Sequence, residues 1–517
     1  MRFWGVPGLV VLVALVGAGM AVPAGFAAVE GDWRSARLFL YAAVFTLFAA
    51  AIVGAAARRG GPPAAPAREE LLTLVGAFAV TPVFAAVPVA LISPGLGPGG
   101  AMFEAVASLT TTGASLLDPA AAPRALHLWR ALLGWFGGFL TLVAAAAILA
   151  PRELLDLPGA AAVEAGRLAP GRALALGPGG RRAARAAAAI APVYLGLTLA
   201  LAVALAASAG AEGEALGAVC HAMGIVATSG ISCGPGGFSG QGGGRWAEAV
   251  MALGLIAAAT RLTYARSAAR AGARGYGRRP GGRLDPELRL MAIAVGAGSL
   301  WLLARGALGE AGLAPAGLIG GVSVLEALWG TLITALSFLT TTGYLSADWG
   351  AALLWSGAWR GIDAGAGLML IGLATLGGGI ATTAGGIKLF RAYALFRHTG
   401  AEMGRLPHPS RVDVARTAGG RLTRRAVMNA WVVLMLYLAA LATTLLALSA
   451  GGLSFAPAIA AATAALSNCG PLLPAATGTT WAELPPAARA VAGAAMVTGR
   501  IELLAVVALF NPIYWGR

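Results

Sequence analysis

Apolar runs of about 20 residues, long enough to cross a bilayer, recur near residues 6–28, 37–57, 70–92, 127–150, 188–208, 246–265, 288–308, 351–375, 427–449 and 487–511. Each predicts a membrane-spanning helix. The first run follows Arg2 as a signal peptide would. It is long for an h-region and a second span follows closely, so it reads as a retained helix. Between some of these runs lie apolar stretches too short to cross: 101-AMFEAVASLTTTGAS-115, 218-AVCHAMGIVATSGIS-232, 327-ALWGTLITALSFLTTTGYLS-346 and 455-FAPAIAAATAALSNCG-470. Each carries a helical pattern of about 10–14 residues, a length that suits a re-entrant segment. Each then runs into Thr, Ser or Asn followed by Gly.

These short segments repeat in register. Gly113, Gly230, Gly343 and Gly470 are separated by 117, 113 and 127 residues, and an Arg (Arg130, Arg245, Arg360, Arg489) opens the next span after each. The first and third copies share TTTG, an Asp five residues on (Asp118, Asp348) and Trp-Arg (Trp129-Arg130, Trp359-Arg360). Each unit is therefore a span, a short helix, a Gly turn and a second span. A unit that crosses twice leaves all four in the same orientation, related by an axis along the membrane normal. The expected fold is an all-α polytopic membrane protein, with two N-terminal helices and four parallel repeats around a pseudo-fourfold pore axis. Its divisions are 1–69 (helix pair and loop), 70–150 (repeat 1), 151–187 (loop), 188–265 (repeat 2), 266–287 (loop), 288–400 (repeat 3), 401–426 (loop) and 427–517 (repeat 4).

Composition supports the membrane reading. Of 517 residues 58% are hydrophobic and 11% charged, against about 25% charged in soluble proteins; intrinsic disorder, whose signature is low hydrophobicity, is excluded as well. The net charge of +15 admits a polyanion ligand, but its distribution points elsewhere. With the N-terminus inside, 28 of the 37 basic residues fall in cytoplasmic segments, the bias that orients membrane proteins. Ten crossings with both termini cytoplasmic follow. All but one of the basic residues are Arg, the exception being Lys388. Cys220, Cys233 and Cys469 are too few and too scattered for a disulfide framework or a zinc site, and no enzyme motif appears.

Irregular backbone at membrane depth is tolerated only where it is buried in protein or lines a cavity. Four such loops would present rings of carbonyl oxygens able to replace a cation's hydration shell, and the C-terminal ends of the short helices would favour a cation nearby. Ser, Thr and Gly also serve as packing residues in membrane helices, but four copies in register after short helices favour the filter. An alternative is a secondary transporter of another cation or a small solute working by alternating access. Inverted repeats would mark it, and these repeats are parallel.

The TTTGAS and TTTGYLS loops, the four-loop layout, 376-LGGGIATTAGGIKLFR-391 and 498-TGRIELLAVVALFNPIYW-515 resemble the Trk/Ktr/HKT superfamily of potassium uptake proteins. The extra helix pair joined by 30-EGDWR-34 makes the chain similar to the bacterial TrkH branch rather than the shorter KtrB branch. The resemblance implies a homodimer in the bacterial inner membrane that carries K+ as the transported ion and needs no organic cofactor. It also implies a cytosolic nucleotide-binding RCK-type ring partner, TrkA-like, and no nucleic acid ligand. By position in the motifs, the filter would be Thr111-Thr112-Gly113, Thr228-Ser229-Gly230, Thr341-Thr342-Gly343 and Asn468-Cys469-Gly470. In the wider superfamily Ser in place of the first filter glycine goes with sodium permeation, so Gly113 favours potassium.

Residues 377–387 interrupt what would be a helix: Gly377, Gly378, Gly379, Gly385 and Gly386 fall within ten positions, each costing a helix about 1 kcal/mol relative to Ala. A flexible break beneath the filter, a gating loop, is expected. Without GK[ST] or a preceding strand it is no phosphate loop. Arg500, with Glu502 two residues on, lies inside the last span, where an ionisable residue is a functional candidate. The resemblance implies that Arg500 faces the glycine loop in the pore. Lys388 follows that loop at the cytoplasmic edge, as an anchor or as a contact for loop or partner. Glu104 and His221, each nine residues before a filter glycine, read as posts behind the filter or as proton-linked groups. Asp118 with Arg130 and Asp348 with Arg360 are plausible ion pairs bracing the outer loops.

Overall fold

The structure is a computed structural model that describes residues 2–3, 6–58, 66–146, 179–209, 215–260, 263–264, 285–308, 318–319, 322–356, 365–380, 382–407, 416–417, 420–421 and 424–501. Apart from three antiparallel pairs of two-residue strands, the regular elements among these are helical. In chain order the α-helices are α1 Gly8–Gly19, α2 Ala21–Val29, α3 Trp33–Arg58, α4 Pro66–Ala79, α5 Thr81–Ile92, α6 Gly97–Leu109, α7 Arg124–Ala144, α8 Gly179–Ala209, α9 Ala215–Ala227 and α10 Gly244–Ala258. There follow α11 Pro286–Leu308, α12 Val324–Leu339, α13 Trp349–Trp355, α14 Ala366–Leu376, α15 Leu389–Arg405, α16 Arg424–Ala450, α17 Phe455–Leu466, α18 Leu472–Thr477 and α19 Pro486–Ile501.

Among the described residues seven helical stretches are long and apolar enough to cross a membrane: Gly8–Val29, Trp33–Ala57, Leu72–Ile92, Arg124–Ala144, Ala183–Ser208, Pro286–Gly306 and Val427–Ala450. The chain is a multi-pass, all-α membrane protein. At three expected crossings the described helices are shorter. α10 ends at Ala258, α13 and α14 flank residues 357–364, and α19 reaches Ile501; residues 357–364 and 502–517 lie outside the described ones.

Proline places the offsets within two crossings. Pro23 and Pro82 lack the N–H that would continue the ladder, and α1 gives way to α2 at Met20 and α4 to α5 at Val80. Burial separates outer from inner helices. Two-thirds (67%) of the apolar window of α7 is buried, against 33% for α3, whose Tyr41, Phe45, Phe48 and Ile52 are exposed. Apolar side chains pointing outward from a membrane helix are what lipid contact requires.

The short helices occupy the centre. Each packs between the helices that precede and follow it: α6 against α5 and α7, α9 against α8 and α10, α12 against α11 and α14, and α17 against α16 and α19. Contacts between units run α7 to α9, α10 to α12, α14 to α17 and α19 to α6, which returns to the start. Close approach needs small residues here: a Cβ on Gly137 of α7 would collide with the Leu109 carbonyl of α6, and one on Gly499 of α19 with the Leu466 carbonyl of α17.

The cysteine expectation is corrected. Cys220 of α9 and Cys233 beyond the second loop form a disulfide, with Cα atoms 6.0 Å apart. A short helix that doubles back into its own loop joins residues 13 apart in sequence, and spacing alone carried no sign of it. Cys469 is free and buried.

Candidate functional site

Each short helix ends in the same closure. After α6 the Thr111 amide donates to Ser108 and the Thr112 amide to Ala107; after α12 Thr341 donates to Phe338 and Thr342 to Ser337. In the second and fourth copies Thr228 donates to Ile225, Ser229 to Gly224, Asn468 to Ala465 and Cys469 to Ala464. This is a Schellman-type end, in which the residue after the cap is left-handed and normally Gly. Here that residue is Thr111 (φ 56°), Thr228 (φ 49°), Thr341 (φ 58°) and Asn468 (φ 52°). A β-branched residue at positive φ is a genuine outlier, costing about 1–3 kcal/mol, and such strain gathers at functional sites. Three repeats carry this strain on a threonine, and the fourth takes the same left-handed turn with Asn468, a residue that tolerates it better.

The next two residues bring the loops together. A Cβ on Gly113 would strike the Ser229 carbonyl, one on Gly230 the Thr342 carbonyl, one on Gly343 the Pro471 ring, and one on Gly470 the backbone of Ala114 and the Thr112 carbonyl. The contacts pass from the first loop to the second, third and fourth and back to the first. The Gly470 amide closes the circuit with a 2.6 Å hydrogen bond to the Thr112 carbonyl, and Asn468 Nδ2 donates to Thr112 Oγ1 at 3.0 Å. The filter residues proposed from sequence are thus adjacent, and the Thr, Ser, Asn and Cys among them are buried.

Buried side chains hold the loops from behind. Glu104 accepts from Ser115 Oγ at 3.0 Å, from the Leu117 amide at 3.2 Å and from the Leu116 amide, and Arg130 Nε lies 2.8 Å from its other oxygen. This corrects the expected pairing of Arg130 with Asp118. Asp118 is exposed and caps its own turn through the Ala120 amide, whereas the buried guanidinium requires a buried carboxylate. Breaking a buried pair costs about 3–5 kcal/mol, so Glu104→Ala is expected to lower the unfolding midpoint in detergent far more than Asp118→Ala. Equal midpoints for the two variants would contradict the post. Asp348 pairs instead with Arg245 of the neighbouring repeat at 2.9 Å, with Glu326 at 3.7 Å on the same guanidinium; Arg360 lies outside the described residues. The Ser323 backbone and hydroxyl, ahead of Arg245, hold the Glu326 carboxyl below its usual range.

His221 Nε2 lies 3.1 Å from Ser232 Oγ, with its ring edge-on to Phe238 and Tyr344. Two acids that sequence reasoning missed serve the third repeat. Glu248 accepts from Ser346 Oγ (2.8 Å), the Ala347 amide (2.6 Å) and Trp329 Nε1 (2.5 Å). Glu287 accepts from the Ile380 amide at 3.0 Å. Their signal was burial within otherwise apolar helices, which composition does not reveal.

The glycine loop sits directly against the strained threonines. The Gly385 amide donates to Thr341 Oγ1 at 2.8 Å, and Thr228 Oγ1 donates to Thr383 Oγ1 at 3.1 Å. The loop folds back on itself, with Lys388 donating to Leu376 and Leu389 to Gly378 through their amides, and Gly377 and Gly386 adopt positive φ. Beyond the loop, Arg500 donates through Nη1 to the Thr383 carbonyl at 2.6 Å and through Nε to Thr141 Oγ1 at 2.9 Å. Lys388, expected at an edge, is buried at φ 82° with its ammonium on the Ala384 carbonyl. Lys388, Arg391 and Arg500 line one cavity with Gly385 and Gly386. Glu502 lies outside the described residues. Among the described residues no cluster of His, Cys, Asp and Glu is arranged to hold a metal.

Fold and site together define a polytopic helical membrane protein whose four short helices bring their following loops into one circuit. Residues 316–515 match the TrkH family model, "Cation transport protein". The chain is 28% identical over 87% of its length to the Trk system potassium uptake protein TrkH of Halomonas elongata, covering 88% of that protein, and 27% identical over 84% to TrkI of the same organism, covering 81%. The crystal structure of the potassium transporter TrkH from Vibrio parahaemolyticus has the same fold, with a TM-score of 0.75 at 24% identity and full coverage of both chains. The chain is thus similar to TrkH proteins over most of its length, and residues 316–515 carry that family's pattern.

Proposed function

We propose that this protein takes up potassium across the bacterial inner membrane, as the transmembrane subunit of a Trk-type system. The observation that carries the proposal is the closed circuit of four loops, each turning through a left-handed Thr or Asn. Buried, unrelaxed backbone at membrane depth is tolerated where it lines a pathway, and carbonyl rings suit a dehydrated cation. In this reading the 1–69 helix pair precedes four pore repeats at 70–150, 188–265, 288–400 and 427–517 around a pseudo-fourfold axis. The relatives' names supply the ion.

The gate is the 377–387 loop, with Gly377, Gly378, Gly379, Gly385, Gly386 and Lys388, held beneath the filter by Thr341, Thr228 and Arg500. The arginine distribution supports a cytoplasmic location for both termini. The disulfide agrees with it, since such bonds persist on the oxidising side and the orientation puts Cys233 outside. The superfamily resemblance adds a homodimer and a cytosolic TrkA-like nucleotide-binding ring, for which the basic stretches 261–289 and 388–425 offer charge. The test is tracer uptake in proteoliposomes, paired with growth of potassium-uptake-deficient cells. Rubidium uptake that resists excess sodium is the expected result. Failure of both assays by inserted protein, with and without the cognate ring, would reject the proposal.

A further inference from the structure

The four loops are anchored by different means. Counted from the filter glycine, the residue nine before it is Glu104, His221 or Thr334 in the first three repeats, and the residue three after it is Leu116, Cys233 or Ser346. In the first repeat the Leu116 amide is tied back to Glu104, itself held by Arg130. In the third the Ser346 amide donates to Thr334 Oγ1 at 3.2 Å and its hydroxyl to Glu248 at 2.8 Å. The same tether therefore joins short helix to outgoing loop in both. In the second repeat His221 meets Ser232, one residue earlier. The third position after the glycine is tied covalently instead, by the bond from Cys233 to Cys220, the residue before His221.

We infer that the Cys220–Cys233 disulfide is the positioning device of the second filter loop, the covalent counterpart of the Glu104–Arg130 post in the first and of Thr334 with Glu248 in the third. The inference rests on the reading of the loops as a cation filter. The bond encloses the strained Thr228 together with Ser229 and Gly230, and both sulfurs belong to buried residues. With its two ends joined, the segment cannot widen to relieve the left-handed threonine, so the carbonyls of this side keep the spacing set by the other three. Tyr344 of the third repeat adds a 2.8 Å hydrogen bond to the Ile231 carbonyl, which transmits the register of the second loop to its neighbour.

The test is the ratio of rubidium to sodium uptake in proteoliposomes for wild type, C220S, C233S and the double variant, each first checked for monodisperse elution. Loss of an outer-sphere support for a bound metal typically costs about tenfold or more, and a fall of that order in the ratio is expected for each single variant. The double variant should be no worse than either single, because all three remove the same bond; independent packing effects would add. Additive losses, or an unchanged ratio in the double variant, overturn the inference. So does alkylation of all three cysteines in unreduced, denatured wild type. If the variants do not fold, wild-type proteoliposomes treated with a phosphine, which takes oxygen from water as the two thiols form, give the same comparison: a reduced ratio supports the bond and an unchanged one refutes it. A wild type with no preference for rubidium would fail at the earlier step and reject the filter itself.

Discussion

Arg500→Ala is expected to raise rubidium flux by about a hundredfold at equal expression. A fixed unit charge about 5 Å from a passing cation, at an effective dielectric near 20, opposes it by about 3 kcal/mol, and each 1.4 kcal/mol is about tenfold in rate. The substitution also removes the 2.6 Å bond to the Thr383 carbonyl, one of the ties on the glycine loop. Arg500→Lys separates the two effects, since it keeps the charge and loses the paired geometry of Nε and Nη1. Its flux should stay close to wild type if charge dominates and approach that of Arg500→Ala if the loop tie dominates. Deletion of residues 379–385 should raise flux by a comparable factor. Wild-type flux in both the alanine and the deletion variant would remove Arg500 and the loop from the gate.

Gly113→Ala should abolish discrimination between rubidium and sodium, or transport altogether. At φ 74° an L side chain is strained by about 1–3 kcal/mol, and the new methyl would also meet the Ser229 carbonyl. One of two backbones forming the ring must retreat. Gly196→Ala of α8 provides the control: nothing lies within 4 Å of its added Cβ, and alanine in a helix interior is better than glycine by about 0.5–1 kcal/mol. Uptake ratios for the two variants, measured in the same vesicles, check the contrast. Unaltered selectivity in Gly113→Ala would show that the ring contact is not part of the pathway.

The elements legible in the sequence were those encoded by local pattern. The short helices, their Thr or Asn followed by Gly, and the glycine-rich break all announce themselves through length and through residues that disfavour helix. The left-handed threonines were not legible, because nothing in Thr predicts positive φ; tertiary contact around the loop imposes it. Long-range pairing was the other gap. Arg130 was matched to Asp118 by proximity in sequence, while the structure matches it by burial to Glu104. Arg245 was matched to no partner and found Asp348 across a repeat boundary. The disulfide is a pairing within one repeat: Cys220 stands ten residues before Gly230 and Cys233 three after it, and only the doubling back of the loop onto its own helix brings them together. The neighbours of Lys388 in sequence place it at an edge, whereas the returning loop encloses it.

The hydrogen bond from Gly470 to Thr112 joins the first loop to the last across most of the chain. A ribosome that has completed three repeats has made three of the four walls, and the carbonyl of Thr112 still waits for a donor not yet synthesised. The circuit of loops therefore closes only once the fourth repeat, the last to be synthesised, has been made. Contacts of such sequence separation form late because their loop closure must be offset by the contacts that follow. A chain terminated before the fourth repeat lacks the Gly470 donor, and its loops do not close into a circuit.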